Sequence, residues 1–178
     1  MKYQKTKFKD LKIYKGIKFN DSRGYFREVY KDNFLKKKLI FWCMSKSKKN
    51  VLRGIHLQTK NPQAKFISVV KGKILDVVVD CRKKSKTYGK YFSTILSDKN
   101  CKSLYIPEGF AHGFLSLSNE NLVFYGNTKY REKKHEVTIK WNDKDLSIKW
   151  PKSKKIISKK DLNGIELKNT KLISHVKV

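Results

Sequence analysis

The sequence predicts an all-β protein folded as a jelly-roll barrel with short helical elements, and three observations lead there. Apolar residues fall in short runs or in alternation with polar ones, and almost nowhere in the 3.6-residue stripe of an amphipathic helix. Turn signals at Asp21-Ser22-Arg23-Gly24, Lys71-Gly72-Lys73 and Pro107-Glu108-Gly109 punctuate those runs. About ten short strands in one chain have to protect their edges, which a sandwich or closed barrel does.

In chain order, strands are predicted over residues 11–19 and 24–30, and a short helix over 32–38 with Asp32 as its N-cap and lysines at its negative end. Further strands are predicted over 39–45, 51–58, 65–70, 73–80, 90–96, 103–106, 113–117 and 122–128. The Lys71-Gly72-Lys73 turn joins two runs rich in β-branched residues and predicts a tight hairpin. After Tyr130 the pattern loosens: Trp141 and Trp150 bracket a polar stretch, and the lysine-rich tail over 152–178 carries one short helix at most. The expectation is one domain over 1–178, with its core over about 11–151 and no internal repeat.

A net charge of +28 points towards a polyanionic partner. The kind of cation argues otherwise. Arginine occurs only at positions 23, 27, 53, 82 and 131, so the rest of the 43 basic residues are lysine, dispersed along the whole chain. Base and phosphate readout favours the arginine fork, so the excess reads as a solvated coat and nucleic acid is not the expected partner. Cys43, Cys81 and Cys101 are odd in number and lack CxxC spacing, so they predict no disulfide framework, and a reducing cytoplasm fits. The segment 1–19 carries charge throughout, so neither a signal peptide nor a membrane span is expected there.

Two histidines stand on apolar strands: His56 in Leu52-Arg53-Gly54-Ile55-His56-Leu57-Gln58, and His112 in Phe110-Ala111-His112-Gly113-Phe114. Strand alternation predicts that Gly54, His56 and Gln58 share one face and Arg53, Ile55 and Leu57 the other. An imidazole on an inward face is a candidate base, although each histidine alone also fits a hydrogen-bonded core position. Metal-binding jelly rolls present His-x-His with a carboxylate. Gln58 stands where the second histidine belongs, so no metal is expected.

Several motifs then carry a family resemblance. They are Asp21-Ser22-Arg23-Gly24-Tyr25-Phe26-Arg27-Glu28, Leu52 to Gln58, Gln63-Ala64-Lys65, Gly72 to Asp80, Ile106 to Phe114, Trp141-Asn142-Asp143 and Ser158-Lys159-Lys160-Asp161. In order and spacing, from about residue 13 to 164, they resemble the dTDP-4-dehydrorhamnose 3,5-epimerase family. The resemblance implies a dimeric, cofactor-independent enzyme with a cupin-type jelly roll, which inverts carbons beside the ketone of a nucleotide-diphospho-4-keto sugar for surface polysaccharide.

A C4 ketone acidifies the hydrogens at C3 and C5, and inversion needs a base on one face and an acid on the other. The resemblance implies His56 as base, paired with Asp161, and Tyr125 as acid. It gives Lys65 the negative charge that develops on the C4 oxygen. It puts His112 and Tyr130 at the sugar, Arg23, Arg53 and Lys160 at the nucleotide or its diphosphate, and Glu28 and Glu136 in contact with the nucleotide-sugar. The other readings are a C3-only epimerase or a 3,4-ketoisomerase of the same fold, and a polyanion-binding jelly roll without catalysis.

One stretch departs from the family, which usually carries Gln-x-Asn ahead of Ser-x-Ser; this chain reads Phe41-Trp42-Cys43-Met44-Ser45-Lys46-Ser47. Phe41 and Cys43 can replace few of the hydrogen bonds of an amide pair. Either the polar contacts are supplied elsewhere and a dTDP-linked 4-keto-6-deoxyhexose is bound, or the substrate carries another nucleotide, GDP first, or a bulkier sugar such as a heptose. The second is the expectation for the preferred substrate.

Overall fold

The computed structural model describes residues 2–170, and strands make up nearly half of them. In chain order they are β1 (Lys2–Lys5), β2 (Lys12–Lys15), β3 (Lys18–Asp21), β4 (Gly24–Arg27), β5 (Phe41–Lys48), β6 (Val51–Gln58) and β7 (Lys65–Lys71). There follow β8 (Lys73–Asp80), β9 (Tyr91–Ser97), β10 (Lys102–Ile106), β11 (Phe110–Ser116), β12 (Glu120–Asn127), β13 (Glu136–Thr138) and β14 (Ile156–Ile157). A single α-helical turn, α1 (Lys159–Leu162), comes after them.

Two sheets result, one ordered β1-β2-β10-β7-β12-β5 and the other β13-β6-β11-β8-β9, with β14 lying parallel to β6. Their inward residues meet in a shared core. Ile13, Ile67, Val69, Leu104 and Val123 come from the first sheet, and Ile74, Val78, Leu96, Phe110 and Phe114 from the second. This is the all-β jelly roll that the short apolar and alternating runs predicted: burial alternates along part of β12, whereas β11 is buried along its whole length and β7 and β8 along most of theirs. Among the described residues no helix is long and apolar enough to cross a membrane.

Several boundaries differ from the expectation. The strand predicted over 11–19 divides at Gly16-Ile17: β2 joins the first sheet, whereas β3 pairs only with β4, in a separate hairpin. The predicted helix over 32–38 is a three-residue 3₁₀ turn, Asp32–Phe34, with Lys31 and not Asp32 at the cap and no side-chain cap bond. Phe34 and Leu35 are adjacent in sequence, so they cannot form a helical stripe; both pack on Tyr14, Leu39 and Phe66, and the chain is extended from Leu35. β1, β13 and β14 were not anticipated, being short and, for β1, exposed along its length.

Alternation also fails inside β6. His56 pairs with His112 but Arg53 pairs with Phe114, so β6 carries one residue more than β11 across that interval. The bulge falls at Gly54-Ile55, where Gly54 has φ +115° and a Cβ would stand 2.5 Å from the Gly113 Cα. Only glycine permits that approach. The extra residue turns Arg53 onto the same side as His56, contrary to the simple face assignment.

Candidate active site

The two sheets enclose a cavity of about 460 Å³, with β5, β7 and β12 contributing from one sheet and β6, β11 and β13 from the other, while α1 lies across it. His56, Lys65, His112, Tyr125, Asp161, Arg53, Glu136 and Lys160 all line it.

His56 is held from α1. Its Nε2 lies 2.7 Å from Asp161 Oδ1, and Asp161 Oδ2 accepts from the Gly54 amide at 3.2 Å. Ser158 caps the turn, its Oγ accepting from the Asp161 amide at 3.1 Å, so a Ser-x-x-Asp start fixes where the carboxylate stands. Burial works to raise the Asp161 carboxyl. The His56 bond and charge, the Gly54 amide and Lys160 outweigh it and hold the group below the usual carboxylate range. An ionised carboxylate only accepts, so Nε2 carries the imidazole hydrogen and Nδ1 is left with the lone pair. Glu136 Oε1 is 3.9 Å from that Nδ1, too far for a hydrogen bond.

Glu136 itself is clamped. Arg131 donates to it through Nε at 2.7 Å and Nη2 at 3.2 Å, and Lys160 pairs with the same carboxylate. Burial raises its carboxyl, but these bonds and the nearby His56 bring it down to about 2.

Across the cavity, Tyr125 Oη lies 2.7 Å from Ser45 Oγ. Burial pushes the phenol well above its ordinary range, and the Ser45 bond only partly offsets this. His112, beside His56 in register, bonds through Nε2 to Asp76 Oδ2 at 2.8 Å and stands edge-on to Tyr125, with ring centroids 6.5 Å apart. Burial raises the Asp76 carboxyl, opposed by His112. Lys65 projects from β7 without a salt-bridge partner among the described residues, and burial lowers its ammonium, with Glu136 and Cys43 working the other way.

Three expected residues do not line this cavity. Arg23 sits at the β3–β4 turn, paired with Asp21 at 2.7 Å, its side chain 89% exposed. Glu28, just beyond β4, pairs with Lys31. Tyr130 is 66% exposed and packs on Phe41 with centroids 6.0 Å apart. Phe41 and Cys43 do line the cavity, as expected. Asn127 lies beside them, its Nδ2 donating to the Phe41 carbonyl at 3.1 Å and standing 3.9 Å from Cys43 Sγ, so an amide remains on that wall.

The sequence reading missed Asn127, Arg131, Ser45, Asp76 and Ser158. Two of them left a signal: Asp76 is a lone carboxylate in the apolar run of β8, and Ser158 stands three residues before Asp161, as an N-cap does. Gln58 is structural; its amide bonds the Asn61 and Tyr130 carbonyls and the Glu132 amide.

Comparison with known proteins points to one family. The family model described as dTDP-4-dehydrorhamnose 3,5-epimerase matches residues 5–169. A relative of that name from Methanothermobacter thermautotrophicus is 42% identical over 153 residues, covering 82% of this chain and 83% of its own. One from Shigella flexneri is 40% identical and covers 90% of this chain and 92% of its own. The crystal structure of the Legionella pneumophila epimerase in complex with dTDP-4-keto-L-rhamnose superposes with a TM-score of 0.91 at 34% identity, covering 94% of this chain and 93% of that one.

Proposed function

The chain belongs to the dTDP-4-dehydrorhamnose 3,5-epimerase family, and from that premise we propose that it inverts the carbons beside the C4 ketone of a dTDP-linked 4-keto-6-deoxyhexose. The observation that carries this reading is the arrangement of one cavity: His56 on one sheet paired with Asp161 of α1, the Tyr125 phenol on the other sheet, and the Lys65 ammonium on β7, without a salt-bridge partner among the described residues.

His56 Nδ1 takes a proton from C3 or C5, and the electron pair of the broken C–H bond moves through the carbonyl to the C4 oxygen. Asp161 steadies the imidazolium that forms. Lys65 supplies positive charge at that oxygen in a site partly screened from water, where fixed charge acts strongly. Tyr125 then delivers its proton to the carbon from the opposite face. The phenolate regains a proton from solvent and His56 releases its own, so each turnover exchanges substrate hydrogen with water. No metal or redox cofactor is needed for this sequence.

Arg53, Lys160 and Arg131 line the same cavity, which supports a role for them in holding the diphosphate, since charge-assisted bonds from arginine suit that group. Arg23 and Glu28 lie outside this cavity on a hairpin with Phe19, Tyr25 and Phe26 exposed, which supports a homodimer in which the hairpin serves the partner's cavity. The enzyme acts in the cytoplasm, supplying a sugar for surface polysaccharide. The GDP-linked substrate expected from Phe41 and Cys43 rested on missing amides. Asn127 supports the dTDP sugar instead, since it keeps an amide on that wall.

The test compares kcat/KM for dTDP- and GDP-linked 4-keto-6-deoxyhexoses, with the product configuration at C3 and C5 determined by NMR. Inversion at both carbons with the dTDP sugar preferred is the expected result. A preference for GDP restores the substrate role of Phe41 and Cys43, and inversion at C3 alone makes the enzyme a mono-epimerase.

A further inference from the structure

Ser45 and Ser47 stand two residues apart on β5, so both face the same way. Each hydroxyl bonds a different working part of the cavity. Ser45 Oγ meets the Tyr125 phenol at 2.7 Å, across from the neighbouring strand β12. Ser47 Oγ accepts from Arg53 Nε at 2.9 Å, and the carbonyl of the intervening Lys46 accepts from Arg53 Nη2 at 3.0 Å. Ser47 is itself locked: it is 4% exposed, and its carbonyl accepts from Asn121 Nδ2 at 3.2 Å.

We propose that Ser45 and Ser47 are a pair of positioning residues on one strand, Ser45 aiming the acid Tyr125 and Ser47 aiming the substrate-binding Arg53, so that β5 fixes the spacing between proton delivery and anion binding. The proposal rests on the epimerase reading and deepens it, because neither serine reacts. Other hydrogen-bonding or charged groups face Tyr125 from every side: His112 and, behind it, Asp76 from the second sheet, with Arg53 and Cys43 nearby. Among the described residues only Ser45 reaches the phenol oxygen with a hydrogen bond. Its hydroxyl is a two-way group, accepting from the phenol before proton delivery and donating to the phenolate afterwards. Burial makes that phenolate costly, and a donor kept in place lessens the cost. Arg53 lies on the bulged part of β6, where regular alternation does not fix its direction. The two acceptors on β5 supply that direction instead.

The two contacts predict separable defects. Ser45→Ala should lower inversion about 10-fold more than it lowers deuterium uptake from D₂O, because proton removal by His56 precedes the step it affects. Ser45→Thr keeps the hydroxyl and should restore most of the loss. Ser47→Ala should raise KM about 10-fold with a smaller change in kcat. If Ser47→Ala does not fold, Arg53→Lys tests the same contact, since it keeps the charge but loses the Nε–H donor. Equal losses of inversion and exchange in Ser45→Ala, or no loss in either, overturn the role of Ser45. A kcat loss without a KM change in the Ser47 or Arg53 variant overturns that of Ser47. Wild-type enzyme that neither inverts nor exchanges any 4-keto nucleotide sugar overturns the epimerase reading itself, which is a different failure.

Discussion

Lys65 is the residue whose chemistry depends most on its surroundings. Burial lowers its ammonium and so works against its charge, Glu136 and Cys43 work the other way, and no carboxylate pairs with it among the described residues; in the proposed mechanism that charge meets the substrate oxygen. Lys65→Ala is expected to reduce turnover about 10²- to 10³-fold, the loss typical when one stabilising group for a developing oxyanion is removed. Steady-state kinetics decide it, and a value within a few-fold of wild type removes Lys65 from the mechanism. Sequence alone could not single out this lysine among so many; only the Gln63-Ala64-Lys65 motif did.

Glu136 gives a pH signature at the same scale. Arg131, Lys160 and His56 outweigh its burial and bring its carboxyl from 4.5 down to about 2. A carboxylate depressed in the folded state stabilises above its unfolded value and loses that contribution as pH falls through its folded value. Wild type should therefore exceed Glu136→Gln in melting temperature at pH 6 to 7, with the gap closing between about pH 4.5 and 2. A gap that stays constant across this interval means that the clamp contributes nothing through ionisation.

Among the elements, the bulge in β6 matters most for the site. It brings Arg53 and His56 to one side and turns the Gly54 amide to Asp161. Gly54→Ala puts a Cβ 2.5 Å from the Gly113 Cα at φ +115°, so it must shift β6 against β11. The expected cost is about 1–3 kcal/mol in stability from the backbone strain, with a larger loss of activity through the displaced dyad. Chemical unfolding and kinetics on one preparation measure both, and unchanged stability contradicts the close packing.

The same bulge shows what could be read from sequence. Alternating and continuous apolar runs located most strands because burial writes itself into the chain, and β7 and β8 are continuous runs buried on both faces. A bulge leaves no period, only a glycine, so the face of Arg53 was assigned wrongly. β13 and β14 pair with β6 over only three and two residues, too few to show a period in the sequence. α1 is a single capped turn, and its Ser158-x-x-Asp161 start was legible, although what Asp161 touches depends on folding over 105 residues of chain. The 3₁₀ turn at Asp32–Phe34 was overcalled as a helix because local caps and charges were weighed without the missing apolar stripe.

On the whole-molecule scale the charge of +28 meets an exposed aromatic hairpin. Two such chains repel at long range, while Phe19, Tyr25 and Phe26 offer apolar area for pairing. Salt at about 0.5 M shrinks the range of the repulsion below the roughly 10 Å found at 0.1 M. The dimer is therefore expected to tighten as ionic strength rises, which sedimentation or light scattering can follow. A monomer at both low and high salt contradicts the proposed assembly.

The central claim is that one cavity holds a base and an acid working in sequence on opposite faces of a 4-keto sugar. Mass spectrometry and NMR of the dTDP-linked sugar incubated in D₂O test it most directly, using wild type, His56→Ala and Tyr125→Phe. The account predicts deuterium at C3 and C5 with inversion for wild type, neither for His56→Ala, and deuterium without correct inversion for Tyr125→Phe. Exchange that persists in His56→Ala, or full inversion by Tyr125→Phe, contradicts it.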